Sequence, residues 1–122
     1  MENTPNQQQN GEMQGQEIEK IIKEYQLLQE QLRAFSLQLE QLQLQKSEST
    51  TAQAEIEKAT GKIYITIGGV IVETDKSTAL KNLKEKMETT DLRLQTTSKQ
   101  FNELKAREKS LREKLSKMQL QQ

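Results

Sequence analysis

Apolar residues recur at two different spacings in this chain, and the change from one to the other divides it into helix, hairpin and helix. From about Gln16 to Lys58 there is no Gly or Pro, and Leu, Gln, Glu and Lys, all good helix formers, dominate. Ile18, Ile21, Tyr25, Leu28, Leu32, Phe35, Leu39 and Leu42 keep strict 3,4 spacing, and the seam continues through Lys46, Ser49 and Gln53 to Ile56. From about Ser77 to Met118 the pattern returns as Leu80, Leu83, Met87, Thr90, Leu94, Thr97, Phe101, Leu104, Glu108, Leu111, Leu115 and Met118. Nine of the twelve positions in each seam are apolar. At 1.5 Å per residue each helix would run for roughly 60 Å, and such a helix needs a partner along its length.

Between the helices the spacing falls to two. Ile63-Tyr64-Ile65-Thr66-Ile67 and Val70-Ile71-Val72 flank Gly68-Gly69, a pair that permits the positive φ angles of a two-residue turn. The pattern predicts a first helix over residues 16–60, a β-hairpin over 61–74 and a second helix over 75–119. Gly61 would release the first helix, and Asp75, with Thr74 or Ser77 as competitors, would cap the second. Residues 1–15 are Gln-rich, with Pro5, Gly11 and Gly15, and read as a disordered N-terminal tail.

A tight hairpin between two long helices folds the chain back on itself as an antiparallel coiled coil. Setting Ile56 against Leu80 pairs Lys46 with Thr90, Phe35 with Phe101, Leu28 with Glu108 and Ile18 with Met118; every pair of numbers sums to 136. The centre of that mirror is residue 68, within the Gly-Gly turn. The heptad phases of the two helices are independent of the turn, so their agreement favours an intrachain hairpin over a parallel dimer. The polar seam residues of the first helix cluster towards the hairpin, where they weaken packing but fix register. A lone two-stranded hairpin is marginal in water. With apolar residues on both faces, this one is expected to meet other subunits.

Composition fits this architecture and narrows the chemistry. Only 32% of residues are hydrophobic, too few for an ordinary globular core but enough for a two-helix seam and a shared hairpin. Eighteen Lys and Arg balance eighteen Asp and Glu, so the surplus of positive charge that drives nucleic-acid or anionic-membrane binding is absent. With no Cys and no His there is no disulfide, thiolate or imidazole chemistry, and no zinc site of the usual kind. Neither a cofactor, a metal site nor an enzymatic role is expected. The densest apolar stretch, Ile63 to Val72, is too short to span a bilayer, and cytoplasm is the default location.

Ile67-Gly68-Gly69-Val70-Ile71-Val72-Glu73, followed by Ala79-Leu80-Lys81-Asn82-Leu83-Lys84-Glu85-Lys86, resembles the hairpin and second-helix start of β-type prefoldin subunits, archaeal or eukaryotic. α-type subunits would need two hairpins and a longer central segment. The resemblance covers about Gln16 to Met118. It implies a mainly α fold, a long antiparallel two-helix coiled coil whose single β-hairpin at the closed end joins an intersubunit β-barrel. It further implies a heterohexamer of two α-type and four β-type subunits that holds unfolded or nascent polypeptides without ATP and passes them to a group II chaperonin. Client contacts are then expected at the distal tips, at Ile18, Ile21, Ile22, Tyr25, Leu115, Met118 and Leu120. Assembly contacts are expected at Ile63, Ile65, Ile67, Gly68, Gly69, Val70, Ile71 and Val72. A coiled-coil scaffold or tether without client binding is the alternative.

Ile18, Ile21, Leu115 and Met118 are seam residues and equally serve simple packing, whereas Ile22 and Leu120 lie off the seam. Leu27, Leu37, Leu44 and Leu92 read as scattered surface leucines or as contacts to a neighbouring subunit. Glu108 is expected to snorkel from the seam to water. The alternating Lys and Glu of the second helix read as a solvated face.

Overall fold

The computed structural model describes the backbone of residues 4–120 and the side chains of residues 14–119. Four elements follow one another: α1 (Thr4–Lys58), β1 (Ile63–Ile67), β2 (Val70–Thr74) and α2 (Lys76–Leu120). The fold is mainly α, two antiparallel helices joined by one hairpin, as the spacing predicts.

α1 starts well before the boundary near Gln16 read from the sequence, so the backbone from Thr4 to Gly15 is helical where a disordered tail was expected. The reason lies in cooperativity. Once the packed part of α1 is nucleated, no new nucleus is required, and the four Gln and Glu12 of this stretch extend the helix against the cost of Gly11 and Gly15. Pro5 falls in the first turn, where no N–H partner is required.

Two compact units make up the chain, one joining α1 up to Ser36 with α2 from Lys99, the other comprising Leu37–Ser98. In the first unit every seam position named above is buried or half-buried, with Ile21 and Leu28 the most enclosed. In the second, Leu42, Ser49, Thr90, Leu94 and Thr97 are buried, and Lys46 alone among the seam positions is exposed. Its ammonium reaches Asp91 on α2 at 3.0 Å, one residue beyond its seam partner Thr90. Thr90 satisfies its hydroxyl within its own helix, donating to the Lys86 carbonyl at 3.0 Å.

The second unit contains the hairpin, and the helix ends that frame it are tied locally. α1 closes at Lys58 with a tight turn in which the Ala59 N–H donates to the Ile56 carbonyl, 3.1 Å. Gly61, expected to release the helix, lies beyond this end and does not take a positive φ, so the exit from α1 uses no left-handed glycine cap. The Lys76 ammonium instead reaches the Glu57 carbonyl at 2.5 Å, placing a cation at the negative end of α1. Asp75 is the N-cap of α2. Its Oδ1 accepts the Thr78 N–H at 2.7 Å and its Oδ2 accepts the Thr78 hydroxyl at 3.0 Å. Those hydrogen bonds, the backbone one first, hold the carboxyl below its ordinary pKa.

Candidate functional site

The hairpin is a two-residue turn of the kind that matches strand twist. Gly68 and Gly69 both have positive φ, 55° and 81°, as a type I′ turn requires. No atom lies within 4 Å of a β-carbon built at either glycine, so glycine is needed there for its backbone freedom and not for space. The strands pair antiparallel, Ile63 with Thr74, Ile65 with Val72 and Ile67 with Val70. Because side chains alternate, Ile63, Ile65, Ile67, Val70, Val72 and Thr74 share one face, and Tyr64, Thr66, Ile71 and Glu73 the other.

Only the root of the apolar face is covered. Ile63 is buried and Ile65 half-buried above a groove of about 460 Å³ whose walls include Ile56, Ala79 and Leu83. Ala79, among the most enclosed side chains described, precedes the seam residue Leu80, and its small size lets the strand approach the helix. Towards the turn the protection ends: Ile67, Val70 and Ile71 are 59%, 60% and 72% exposed. Tyr64 and Val72 are exposed as well. With two strands in the sheet, both outer edges keep free backbone groups. Of the hairpin residues expected to assemble, Ile63 and in part Ile65 are taken up by intrachain packing, while Ile67, Val70 and Val72 on that face and Ile71 on the other stand exposed.

At the other candidate surface the sequence expectations divide. Ile18, Tyr25, Leu115 and Met118 are half-buried and Ile21 is only 5% exposed, all facing the seam; Ile22 is exposed beside them. The side chain of Leu120 lies outside the described residues. Leu27 of this unit is exposed, as are Leu37, Leu44 and Leu92 of the other.

Glu108 departs from expectation. It does not snorkel to water, since its side chain is 13% exposed. Its Oε1 accepts the Tyr25 hydroxyl at 3.0 Å and the Gln29 amide at 3.5 Å, both from α1, and the Arg112 guanidinium stands 3.7 Å away. A second interhelical pair, Arg107 with Glu24, sits alongside. Partners close at hand make the enclosed carboxylate affordable where a lone one would be expelled. Sequence periodicity passed over this network, although a tyrosine on the seam one turn from the position facing Glu108 was its visible sign.

Among the described residues no helix is long and apolar enough to cross a membrane, and no group of acidic side chains could hold a metal ion.

Known proteins with the same arrangement locate the chain. The family described as "Prefoldin subunit" matches residues 19–122. Prefoldin subunit beta of Thermococcus onnurineus is 38% identical over 104 residues, covering 84% of each chain. Its counterpart in Methanosarcina acetivorans is 33% identical over 101 residues, covering 81% of this chain and 86% of the relative. The crystal structure of the prefoldin beta subunit from Thermococcus strain KS-1 superimposes with a TM-score of 0.76 at 30% identity, over 83% of this chain and 90% of that one. With a single glycine-turned hairpin between two heptad helices and this similarity over most of its length, the chain belongs to the prefoldin subunit family, as a member of the β type.

Proposed function

We propose that the chain is a subunit of an ATP-independent holdase, assembling through its hairpin with α-type and further β-type subunits into a heterohexamer of two α and four β. In this reading the complex works in the cytoplasm, holds unfolded or nascent polypeptides at the ends of its coiled coils, and releases them to a group II chaperonin. The observation that carries the assembly step is the turn end of the hairpin, where Ile67, Val70 and Ile71 stand in solvent beside two unpaired strand edges. A monomer gains nothing from that exposure, and a barrel of such hairpins would remove both the apolar surface and the edges.

Client holding draws on Ile18, Ile21, Ile22, Tyr25, Leu115 and Met118, with Leu120 beyond the described side chains. Terminal helical turns open at low cost, and Met118 adapts to varied partners. Each contact is weak, and several tips acting together would supply usable affinity without a deep pocket. Fast release at any one tip would then allow transfer.

The test mixes the purified chain with an α-type partner. A native mass near six subunits and protection of an unfolded client from aggregation are expected, and failure of both overturns the reading. A chain cut before Tyr25 and after Leu111 should assemble but lose protection; full protection by the cut complex would remove the tips from the mechanism. The enclosure of Ile21 supports a second reading, a scaffold with closed helix ends and no clients. Such a scaffold would self-assemble without an α-type partner, which native mass distinguishes.

A further inference from the structure

Six side chains of α1 and α2 tie the first unit together at one level. Tyr25 and Gln29 donate to Glu108, Arg112 braces the same carboxylate from its own helix, and Glu24 pairs with Arg107. Leu28, between the two donors on α1, is among the most enclosed residues described. Inside this level the seam is made of Leu32 and Phe35 with Phe101 and Leu104; outside it lie Ile18 and Ile21 with Leu115 and Met118. Among the described residues outside this level one further tie crosses the helices, Glu17 with Lys114 at 3.7 Å, and both of its side chains are more than half exposed. An exposed pair of that kind contributes little.

We propose that this polar girdle is a stop for local unfolding. Fraying from the helix ends first meets a short arm whose seam holds only two apolar layers, Ile18 with Met118 and Ile21 with Leu115, too small to open in separate steps. The girdle behaves differently, because Tyr25 and Gln29 donate to one carboxylate that Arg112 also faces, and these contacts polarise one another, so they are kept or lost together. Losing one leaves the partly enclosed carboxylate short of donors and raises the cost of keeping the rest. Opening therefore runs freely up to residues 24 and 112 and halts there. The arms outside the girdle, 14–23 of α1 and 113–119 of α2, open as one unit while the seam inside stays closed.

This deepens the holdase reading and rests on it for its purpose: it sets the size of the apolar surface that a tip offers, Ile18, Ile21 and Ile22 with Leu115 and Met118, and it keeps Tyr25, alone of the tip residues named above with described side chains, closed in the girdle and out of client contact. The capture surface could then be exposed repeatedly without unzipping the rest of the unit.

Hydrogen exchange on the full chain tests the stop without any client. Residues 14–23 and 113–119 should share one opening rate, and protection should rise at least about tenfold in a step on reaching 26–32 and 101–107. Tyr25→Phe keeps the ring in the seam and removes only the hydroxyl. It should carry 26–32 and 101–107 into the fast class, several-fold less protected, and leave the arms unchanged. Tyr25→Leu, which also lacks the hydroxyl, should give the same shift, whereas a packing role alone predicts wild-type protection in Tyr25→Phe. A smooth gradient in the wild type, or an unmoved step in Tyr25→Phe, overturns the proposal. A step found in a chain that protects no client keeps the stop and removes the holdase reading instead.

Discussion

Gly68, Gly69 and Asp75 show how single residues set the junctions of this fold. At the turn the constraint is backbone φ alone, since nothing crowds either glycine. Gly68→Asn should leave the hairpin intact, because Asn tolerates left-handed φ and Asn-Gly is a favoured pair for this turn. Gly69→Val should cost about 1–2 kcal/mol, read as faster exchange of the β1 and β2 amides. Asp75 caps α2 as a carboxylate, and its pKa is lowered in the folded chain. The sign follows: its contribution is full above the unfolded value of about 3.9 and fades as pH falls through the lower folded one. In thermal melts, the advantage of wild type over Asp75→Asn should thus be present at pH 7 and shrink on acidification below pH 4. An advantage that is constant across this range would assign the effect to cap geometry without charge.

For the helices, what could be read from the sequence was periodic and what could not was a matter of reach. The 3,4 spacing located the seam because burial follows the helical period, and every seam position except Lys46 is at least half-buried. The alternation of Ile63, Ile65 and Ile67 located the strand for the same kind of reason. The Glu108 network escaped because a carboxylate at a seam position is compatible with water or with donors, and only the placement of Tyr25 and Gln29 decides between them. The start of α1 at Thr4 escaped because propagation from a packed segment leaves no apolar trace. Lys46 offers a balance that magnitudes can decide. Its ion pair with Asp91 is half exposed and worth about 0–1 kcal/mol, while a leucine buried there would gain roughly 1.5–3 kcal/mol. Lys46→Leu should raise the urea midpoint at unchanged m-value; a lower midpoint would show that the pair carries more than its exposure suggests.

At the scale of the molecule, five of the ten exposed large hydrophobic side chains among the described residues lie together in the hairpin, where another chain can cover them. Replacing Val70 and Ile71 by Lys should abolish assembly with an α-type partner while helical content by circular dichroism stays at the wild-type level. Persistence of the native complex would displace the interface from the turn end of the hairpin. The mirror relation of the sequence has one more consequence. Strand partners sum to 137, so the hairpin pivots on the bond between Gly68 and Gly69, within half a residue of the pivot of the heptad seams. A single residue inserted into either helix would turn everything beyond it by about 100°, and one inserted into the turn would swap the faces of a strand. Changes of length are therefore quantised. This architecture can grow or shrink without losing its pairing only by matched heptads, one added to each helix at the same distance from the turn.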